Sequence, residues 1–232
     1  MRSVIMALAL VLTGCGGEEK TEQPTEQPTD RSISFRLYPS DFFDTGYKEN
    51  YAASGTGKNG SNITTVDVSF SNKANGLTYF NSSQAQSVYG TISLKEASTG
   101  AFIATSGTEY YSSDPNHLSF LGSVQNGVYT TAKSNSVIPI TAKIGDFGSI
   151  GEYVNTANSN IKTMGWELQD GNNGNAKMCI TTTDTTSIGT TINASGLVCY
   201  LITPEGYRLS MSFYFTNYQE GIIAKISGDR EE

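Results

Sequence analysis

The chain of 232 residues has only one histidine, one tryptophan and three cysteines, and charged residues make up only 16% of it. Metal sites built on several histidines are therefore excluded. There is no excess of positive charge either, because 15 Lys and Arg stand against 22 Asp and Glu, which gives a formal net charge of -7. Binding to a nucleic-acid backbone usually needs a basic excess, so we expect no nucleic-acid partner.

The sequence also lacks an apolar run long enough to cross a bilayer as a helix. The run near its start, Val4 to Leu12, has about nine residues, whereas a spanning helix needs ~20. A basic residue, Arg2, precedes this run. A short apolar run after a basic residue is typical of a secretion signal.

The apolar run ends in Leu12, Thr13, Gly14 and Cys15. These residues resemble the lipobox of bacterial lipoproteins, in which a Leu and two small residues precede a Cys. The resemblance implies that residues 1–14 are a lipoprotein signal peptide and that Cys15 becomes the acylated N-terminus. Several acyl chains on one residue hold a protein at a membrane for practical purposes permanently. Membrane lipid is therefore the first expected partner, through Cys15.

The residue after Cys15 bears on the choice of membrane. In Gram-negative lipoproteins an Asp at this position usually signals retention in the inner membrane, and this chain has Gly16 instead. The resemblance therefore implies the outer membrane. The sequence leaves open whether the protein faces the periplasm or the cell exterior.

Residues 15–31 are predicted to be a disordered tether. No apolar side chain occurs between Gly16 and Asp30, and the sequence Thr-Glu-Gln-Pro occurs at residues 21–24 and again at 25–28. Such a segment cannot offset the entropy of folding by burying apolar surface. Its prolines favour an extended chain, so it is predicted to be a spacer.

After Arg31, short stretches alternate between apolar and polar residues. An alternation with period two places one side of a strand in the core and the other in water. The predicted strands are Ile33–Leu37, Val66–Phe70, Val88–Leu94, Val137–Ile144, Met164–Leu168, Ala176–Thr182, Leu197–Ile202, Tyr207–Phe215 and Ile222–Ile226. Clusters of Gly and Asn at residues 55–60, 72–76, 125–127 and 170–175 predict turns. A short helix is conceivable only at residues 95–102 and 150–161.

This pattern predicts an all-β fold with little helix. Antiparallel strands are expected, since parallel strands need crossover helices, and the architecture is a sandwich or a barrel-like meander. A polar seam at residues 130–136 suggests two β subdomains, 32–132 and 133–228, followed by a tail at 229–232. One continuous barrel or sandwich is the alternative.

Two cysteines, Cys179 and Cys199, remain once Cys15 is assigned to lipid. An exported protein meets an oxidising compartment, so these two are predicted to form a disulfide. The spacing lacks the C-x-x-C pattern that tunes a reactive thiolate, which makes a redox role the weaker hypothesis.

The hairpin turns around this disulfide predict a row of side chains. A turn centred between Asn172 and Asn173 would set Trp166 opposite Cys179. A turn centred on Glu205 would set Met211 opposite Cys199. Trp166, the disulfide and Met211 would then lie in one row.

Candidate ligand-binding residues are aromatic. Trp166 could stack on a sugar if it is exposed, and adjacent residues Tyr110 and Tyr111 should point to opposite faces of a strand. A weak calcium candidate is formed by Asp170, Asn172 and Asn175 in a Gly-rich loop. A hairpin turn has the same composition, so no metal and no cofactor is predicted.

Catalytic motifs are lacking. His117 is the only histidine, and it lies in a turn-like sequence with Asp114. Carboxylates such as Glu109 are present, but none belongs to a recognisable motif. The sequence therefore predicts a non-enzymatic binding or structural domain in the cell envelope, with an unknown protein or glycan as partner. The alternative is a polysaccharide-acting enzyme or carbohydrate-binding module.

Overall fold

A computed structural model describes residues 27–60, 62–114 and 116–231 of the chain. The predicted signal peptide, Cys15 and the tether up to residue 26 lie outside the described residues. The strands are β1 Ser34–Arg36, β2 Lys48–Asn59, β3 Asn62–Phe80, β4 Ser83–Glu96, β5 Phe102–Ser112, β6 Phe120–Gln125, β7 Val128–Asn135, β8 Thr141–Lys143, β9 Phe147–Asn155, β10 Ile161–Asp170, β11 Ala176–Thr185, β12 Ile192–Ile202, β13 Arg208–Asn217 and β14 Ile222–Arg230.

Twelve of these strands form one closed barrel, in the order β10-β11-β12-β13-β14-β2-β3-β4-β5-β6-β7-β9. Pairing of β9 with β10 closes it, and the neighbouring strands are antiparallel throughout. The connections are mostly tight hairpins, which the Asn- and Gly-rich turns permit. The predicted all-β, antiparallel, barrel-like fold is confirmed.

The two remaining strands, β1 and β8, pair with each other outside the barrel sheet. We call β1, β8 and residues 37–47 the plug. The backbone N–H of Arg36 donates to the carbonyl of Pro204, in the connection between β12 and β13. Side chains of the plug, including Phe35, Leu37 and Phe42, join the main hydrophobic core together with barrel residues. The plug therefore closes the end of the barrel at which β12 leads into β13.

Strand is the only regular structure in the described part of the chain, and residues 95–102 and 150–161 contain no helix. Accordingly, no helix in residues 27–60, 62–114 or 116–231 is long and apolar enough to cross a membrane. Each predicted strand overlaps an observed one. The prediction for Val137–Ile144 was wrong in extent, because only Thr141–Lys143 is strand and Ile138 instead packs in the core.

Two clusters predicted as turns lie within strands. Residues 55–59 continue β2. Glycine is required at position 55 because β14 lies so close that a Cβ there would be 1.9 Å from the carbonyl oxygen of Lys225. Residues 72–76 continue β3, where Gly76 adopts a φ of 76° at a bulge opposite β4. Glycine here marks a close backbone approach and a bulge.

Strands from both predicted subdomains share the one barrel. The boundary at residue 132 falls inside β7, and the two halves pair through β7 with β9 and through β14 with β2. The described residues therefore have the arrangement of the single-barrel alternative. The predicted tail at 229–232 begins inside β14, because Asp229 and Arg230 pair with β2.

The end of the predicted tether is docked on the barrel. Thr29 is buried, and its Oγ1 donates a hydrogen bond of 2.7 Å to the carbonyl of Asn175 in the β10–β11 turn. The backbone N–H of Thr29 donates to Asp170 Oδ1 over 3.1 Å, and that of Gln27 to Asn173 Oδ1 over 3.2 Å. Polar residues can bind the turn in this way without any apolar burial, which the composition of the segment could not indicate.

Candidate functional site

The interior of the barrel contains two adjoining cavities of about 230 and 300 Å³. Side chains that face inward from many strands line them, and seven residues line both cavities. We call these seven the junction: Asn72, Val88, Glu109, Ser123, Lys162, Val198 and Tyr200. The junction combines apolar, aromatic, amide, hydroxyl and oppositely charged side chains. Cavities with a mainly apolar wall and a few polar groups are typical of small-molecule binding.

Arg208, which lines the first cavity, forms an ion pair with Glu49. Arg208 Nη1 lies 3.0 Å from Glu49 Oε2, and the two side chains are 4% and 0% exposed. Tyr47 Oη donates a hydrogen bond to the other carboxylate oxygen, Oε1. Each oxygen of Glu49 therefore has a partner, as a buried charge requires.

Three aromatic rings surround the guanidinium group of Arg208. Its central carbon lies 4.0 Å from the ring centroid of Tyr200, 4.9 Å from that of Phe42 and 5.4 Å from that of Tyr38. These distances allow cation–π attraction. Because Tyr38 and Phe42 belong to the plug, Arg208 ties the plug to the barrel wall.

The pKa values of the cluster fix its charge state. Burial alone would raise the pKa of Glu49, but the charge of Arg208 and the hydrogen bonds from Tyr47 and Arg208 outweigh it and leave this pKa below its ordinary value. Burial raises the pKa of both Tyr38 and Tyr200 to about 12. Glu49 is therefore ionised and the two phenols are neutral at physiological pH.

Two polar atoms in the lining side chains have no hydrogen-bond partner among the described residues. They are Tyr51 Oη, in a residue that lines the second cavity, and Arg208 Nε. Leaving a buried polar group unpaired costs about 1–3 kcal/mol. Neither atom has accessible surface in the cavities, so this cost belongs to the packing of the wall.

The junction carries one group of each charge. Glu109 Oε2 accepts a hydrogen bond of 2.8 Å from Tyr111 Oη. Lys162 lies on β10, with its Cα opposite Tyr153 on β9 and Asp184 on β11. Within the described residues, no carboxylate lies within salt-bridge distance of Lys162. Its ammonium group is therefore available to a ligand.

Trp166, predicted as a ligand-binding residue, is buried in the main core and is 7% exposed. Its indole lies against Gly148, where a Cβ would be 2.8 Å from Nε1. It lines neither interior cavity and is not a stacking platform on the outer surface.

The adjacent Tyr110 and Tyr111 face opposite sides of β5, as the strand period requires. Tyr111 is buried in the main core and lines the first cavity. Tyr110 stacks on Phe80 with ring centroids 4.3 Å apart and planes inclined by 17°. Of the three predicted ligand-binding residues, only Tyr111 therefore belongs to the cavity wall.

The structure contains the predicted disulfide between Cys179 and Cys199, whose Cα atoms are paired directly across β11 and β12. The predicted row around it was wrong by one residue. Ile180 is opposite Trp166, and Ser212 is opposite Cys199. Because successive residues face opposite sides, Trp166 points into the barrel and the disulfide lies on its outer face.

The calcium candidate is occupied by the chain itself. Asp170 Oδ1 accepts hydrogen bonds from the backbone N–H groups of Asn172 and Thr29, at 2.8 and 3.1 Å. These hydrogen bonds lower the pKa of Asp170. Asn175 contributes its carbonyl to Thr29. In the described part of the chain, no cluster of three or more His, Cys, Asp or Glu could hold a metal ion.

His117 lies in a surface loop, with its side chain 72% exposed. Its Nδ1 is 2.8 Å from Asp114 Oδ2, a contact of the kind that caps a turn. His117 lines neither interior cavity.

Glu109 was predicted only as one of several carboxylates without a motif, and Glu49, Arg208 and Lys162 were not predicted. A signal existed for Glu49, which lies at period two between Tyr47 and Tyr51 and so shares their face. No such signal existed for Arg208. A register shift between Leu201 and Ile202 of β12 lies directly opposite the start of β13, so the alternation along the strand does not predict which way Arg208 points.

No family model and no curated protein matches the chain, as expected for a folded part without a recognised family. Among solved structures, a candidate lipoprotein from Parabacteroides distasonis ATCC 8503 is 12% identical, with 85% of this chain and 98% of that chain covered and a TM-score of 0.31. A candidate exported protein with a YmcC-like fold from Bacteroides fragilis NCTC 9343 is 10% identical, with 85% and 100% covered and a TM-score of 0.33. Similarity at this level carries no information about function.

Proposed function

We propose that this chain is a lipid-anchored protein of the bacterial envelope whose barrel binds a small molecule in its interior without catalysis. The observation that carries the proposal is the pair of adjoining cavities with their shared junction of charged, polar and apolar residues. A structural barrel would gain stability from an apolar filling instead. A ligand that pairs with both explains why two charged side chains, the half-buried Lys162 and the exposed Glu109, line the same space.

The state of Glu49 excludes it as the general acid of a hydrolase. A glycosidase needs two carboxyl groups, one of which donates a proton and has a raised pKa. Glu49 has the opposite shift and is held by Arg208 and Tyr47. A surface carbohydrate module based on Trp166 is disfavoured because that side chain is buried.

The anchoring part of the proposal rests on the lipobox resemblance at Cys15 and on the tether that follows. The expected location is the outer membrane, with membrane lipid as one partner and an envelope protein or glycan as a further, unidentified one. Intact-mass analysis of the purified protein tests it. The mass of acyl chains should be present on the wild type and absent from Cys15→Ser; equal masses apart from the substitution would contradict the anchor.

Interior binding is tested by blocking the junction. Val198→Trp places a large ring between the two cavities, whereas Thr181→Trp puts the same ring at an exposed position on the outer face of the neighbouring strand β11. The full chain in lipid nanodiscs is incubated with a small-molecule extract of envelope fractions, and bound molecules are read by native mass spectrometry.

We expect a bound molecule on the wild type and on Thr181→Trp, and none on Val198→Trp. Circular dichroism establishes that each variant is folded, and Ser123→Leu serves as a second blocking variant. If no molecule binds the wild type, or if both blocking variants bind as well as the wild type, the proposed function is wrong.

A further inference from the structure

We infer that the interior ligand is a small, uncharged, polyhydroxylated molecule, a saccharide of one or two rings, held at the junction between Lys162 and Glu109. This inference rests on the proposed interior binding function and specifies its ligand. It takes the cavity wall, rather than any surface aromatic residue, as the saccharide site.

The position of the two charges excludes an alkyl chain as the main part of the ligand. Lys162 and Glu109 line both cavities, so any molecule that fills them both passes these groups. A hydrocarbon would remove water from an ammonium and a carboxylate without replacing the hydrogen bonds, which is costly. Hydroxyl groups replace them, because a hydroxyl accepts from the ammonium and donates to the carboxylate.

The charge balance of the site favours an uncharged ligand. Lys162 and Glu109 have opposite formal charges, Asp184 lies opposite Lys162 on β11 and interacts with its charge, and Arg208 is already paired with Glu49 at 3.0 Å. A ligand with a net charge would be attracted by one member of the junction and repelled by the other. An uncharged molecule with several hydroxyls satisfies both.

The remaining junction residues suit a sugar ring. Asn72 and Ser123 add amide and hydroxyl groups, while Val88, Val198 and the ring of Tyr200 add apolar surface. A saccharide presents hydroxyls at its edge and C–H groups on its faces, so it needs walls of both kinds. Cavities of about 230 and 300 Å³ are at the lower end of small-molecule sites, which limits the ligand to one or two rings.

The test uses the full chain in nanodiscs of phosphatidylethanolamine and phosphatidylglycerol. Saturation-transfer NMR is run with glucose, galactose, N-acetylglucosamine, their disaccharides and an acid hydrolysate of envelope polysaccharide. Gluconate, glucosamine and decanoate serve as anionic, cationic and alkyl probes. We expect transfer to at least one uncharged saccharide and weaker transfer to the other three.

Variants locate the binding. Lys162→Met and Glu109→Gln should each weaken binding of that saccharide at least tenfold, whereas Lys177→Met, the same substitution on the outer face of β11, should leave it unchanged. Ser123→Ala removes one hydroxyl from the junction and should weaken binding about fivefold, the equivalent of one hydrogen bond. Ser123 is only half-buried and the substitution is small, so this variant should stay folded, which keeps the test valid if Lys162→Met unfolds.

Two results overturn the inference. The first is that the charged or alkyl probes bind and no saccharide does. If Val198→Trp abolishes binding of those probes, the interior function stands and only the proposed ligand class is wrong. The second is saccharide binding that neither Lys162→Met nor Ser123→Ala weakens, which places the sugar outside the junction. Failure of every probe together with the extract of the earlier experiment overturns the interior function itself.

Discussion

Arg208 and Glu49 form a buried ion pair although they lie 159 positions apart in the sequence and on strands that are not neighbours in the barrel. Arg208 begins β13, Glu49 is near the start of β2, and β14 runs between these strands. The pair therefore connects β13 with β2 across β14 and, through the rings around Arg208, connects both strands with the plug.

Removing one partner of this pair should strongly destabilise the fold. Glu49→Gln leaves the charge of Arg208 uncompensated and the new amide partly unpaired, and Arg208→Met leaves the charge of Glu49 uncompensated. Each change should lower the free energy of unfolding by about 3–5 kcal/mol. The measurement is the free energy of unfolding from urea titration. The matched control is the exposed pair Lys133–Glu152, at 3.3 Å with side chains 55% and 43% exposed, where Glu152→Gln should cost below about 1 kcal/mol. Equal losses at the two pairs would contradict this account.

The same carboxylate should make stability depend on acid. Because the folded-state pKa of Glu49 is lowered, its ionised form favours the folded state. This contribution is complete above the unfolded-state pKa of ~4.3 and is lost as the pH falls through the folded-state pKa. The gap in unfolding free energy between wild type and Glu49→Gln should therefore be constant near neutral pH and shrink in acid. A constant gap at all pH values would refute it.

Asp184 should behave with the opposite sign. Burial raises its pKa, against a smaller opposing effect of Lys162, so its ionised form disfavours the folded state. Asp184→Asn should stabilise the protein at neutral pH, and the gain should vanish as the pH falls below the ordinary Asp pKa of ~3.9. The check is the same urea titration at both pH values; destabilisation at neutral pH would show that attraction to Lys162 dominates.

The disulfide should contribute stability through the unfolded state. It joins residues with a separation of 20, and closing a loop of that size is worth about 3 kcal/mol on the chain-entropy model. The double variant Cys179→Ala/Cys199→Ala should lose about this amount in urea titration. A reductant should lower the free energy of unfolding of the wild type by a similar amount and leave that of the variant unchanged. If the reductant also destabilises the variant, the loss does not come from this disulfide.

The strand pattern and the disulfide pairing could be predicted from the sequence because both depend on local alternation and on two matched cysteines. The row through Trp166 could not. The β10–β11 pairing is symmetric about Asn173 and not about the bond between Asn172 and Asn173, and this half-residue difference turns Trp166 inward. The Gly- and Asn-rich composition of the β10–β11 turn is compatible with a loop of four residues or of five, so it could not predict the register.

The second hairpin shows the same limit. Ile202 pairs with Arg208, as a turn centred on Glu205 requires, but a bulge before Ile202 shifts every pair beyond it by one residue. The junction was hidden for a related reason. Its charged members come from strands β5 and β10, far apart in the sequence, and only the closed order of the barrel brings them to one wall.

The docked end of the tether gives the last prediction. Thr29 Oγ1 donates to the carbonyl of Asn175, and Thr29→Val keeps the size of the side chain while removing this donor. The loss of one hydrogen bond, about 1 kcal/mol, should speed amide hydrogen exchange of residues 27–31 about fivefold. Unfolding of the barrel should be unaffected, because these residues contribute little apolar burial.

Thr181→Val is the matched control, since it makes the same change at an exposed site on β11. It should leave the exchange of residues 27–31 as it is in the wild type. Asp170→Asn weakens the acceptor for the Thr29 N–H and should act like Thr29→Val, because both release the same segment. Wild-type exchange at residues 27–31 as fast as in a free peptide would mean that the segment is not docked. The tether would then be longer by these residues, and the plugged end of the barrel would have no fixed orientation relative to the predicted anchor at Cys15.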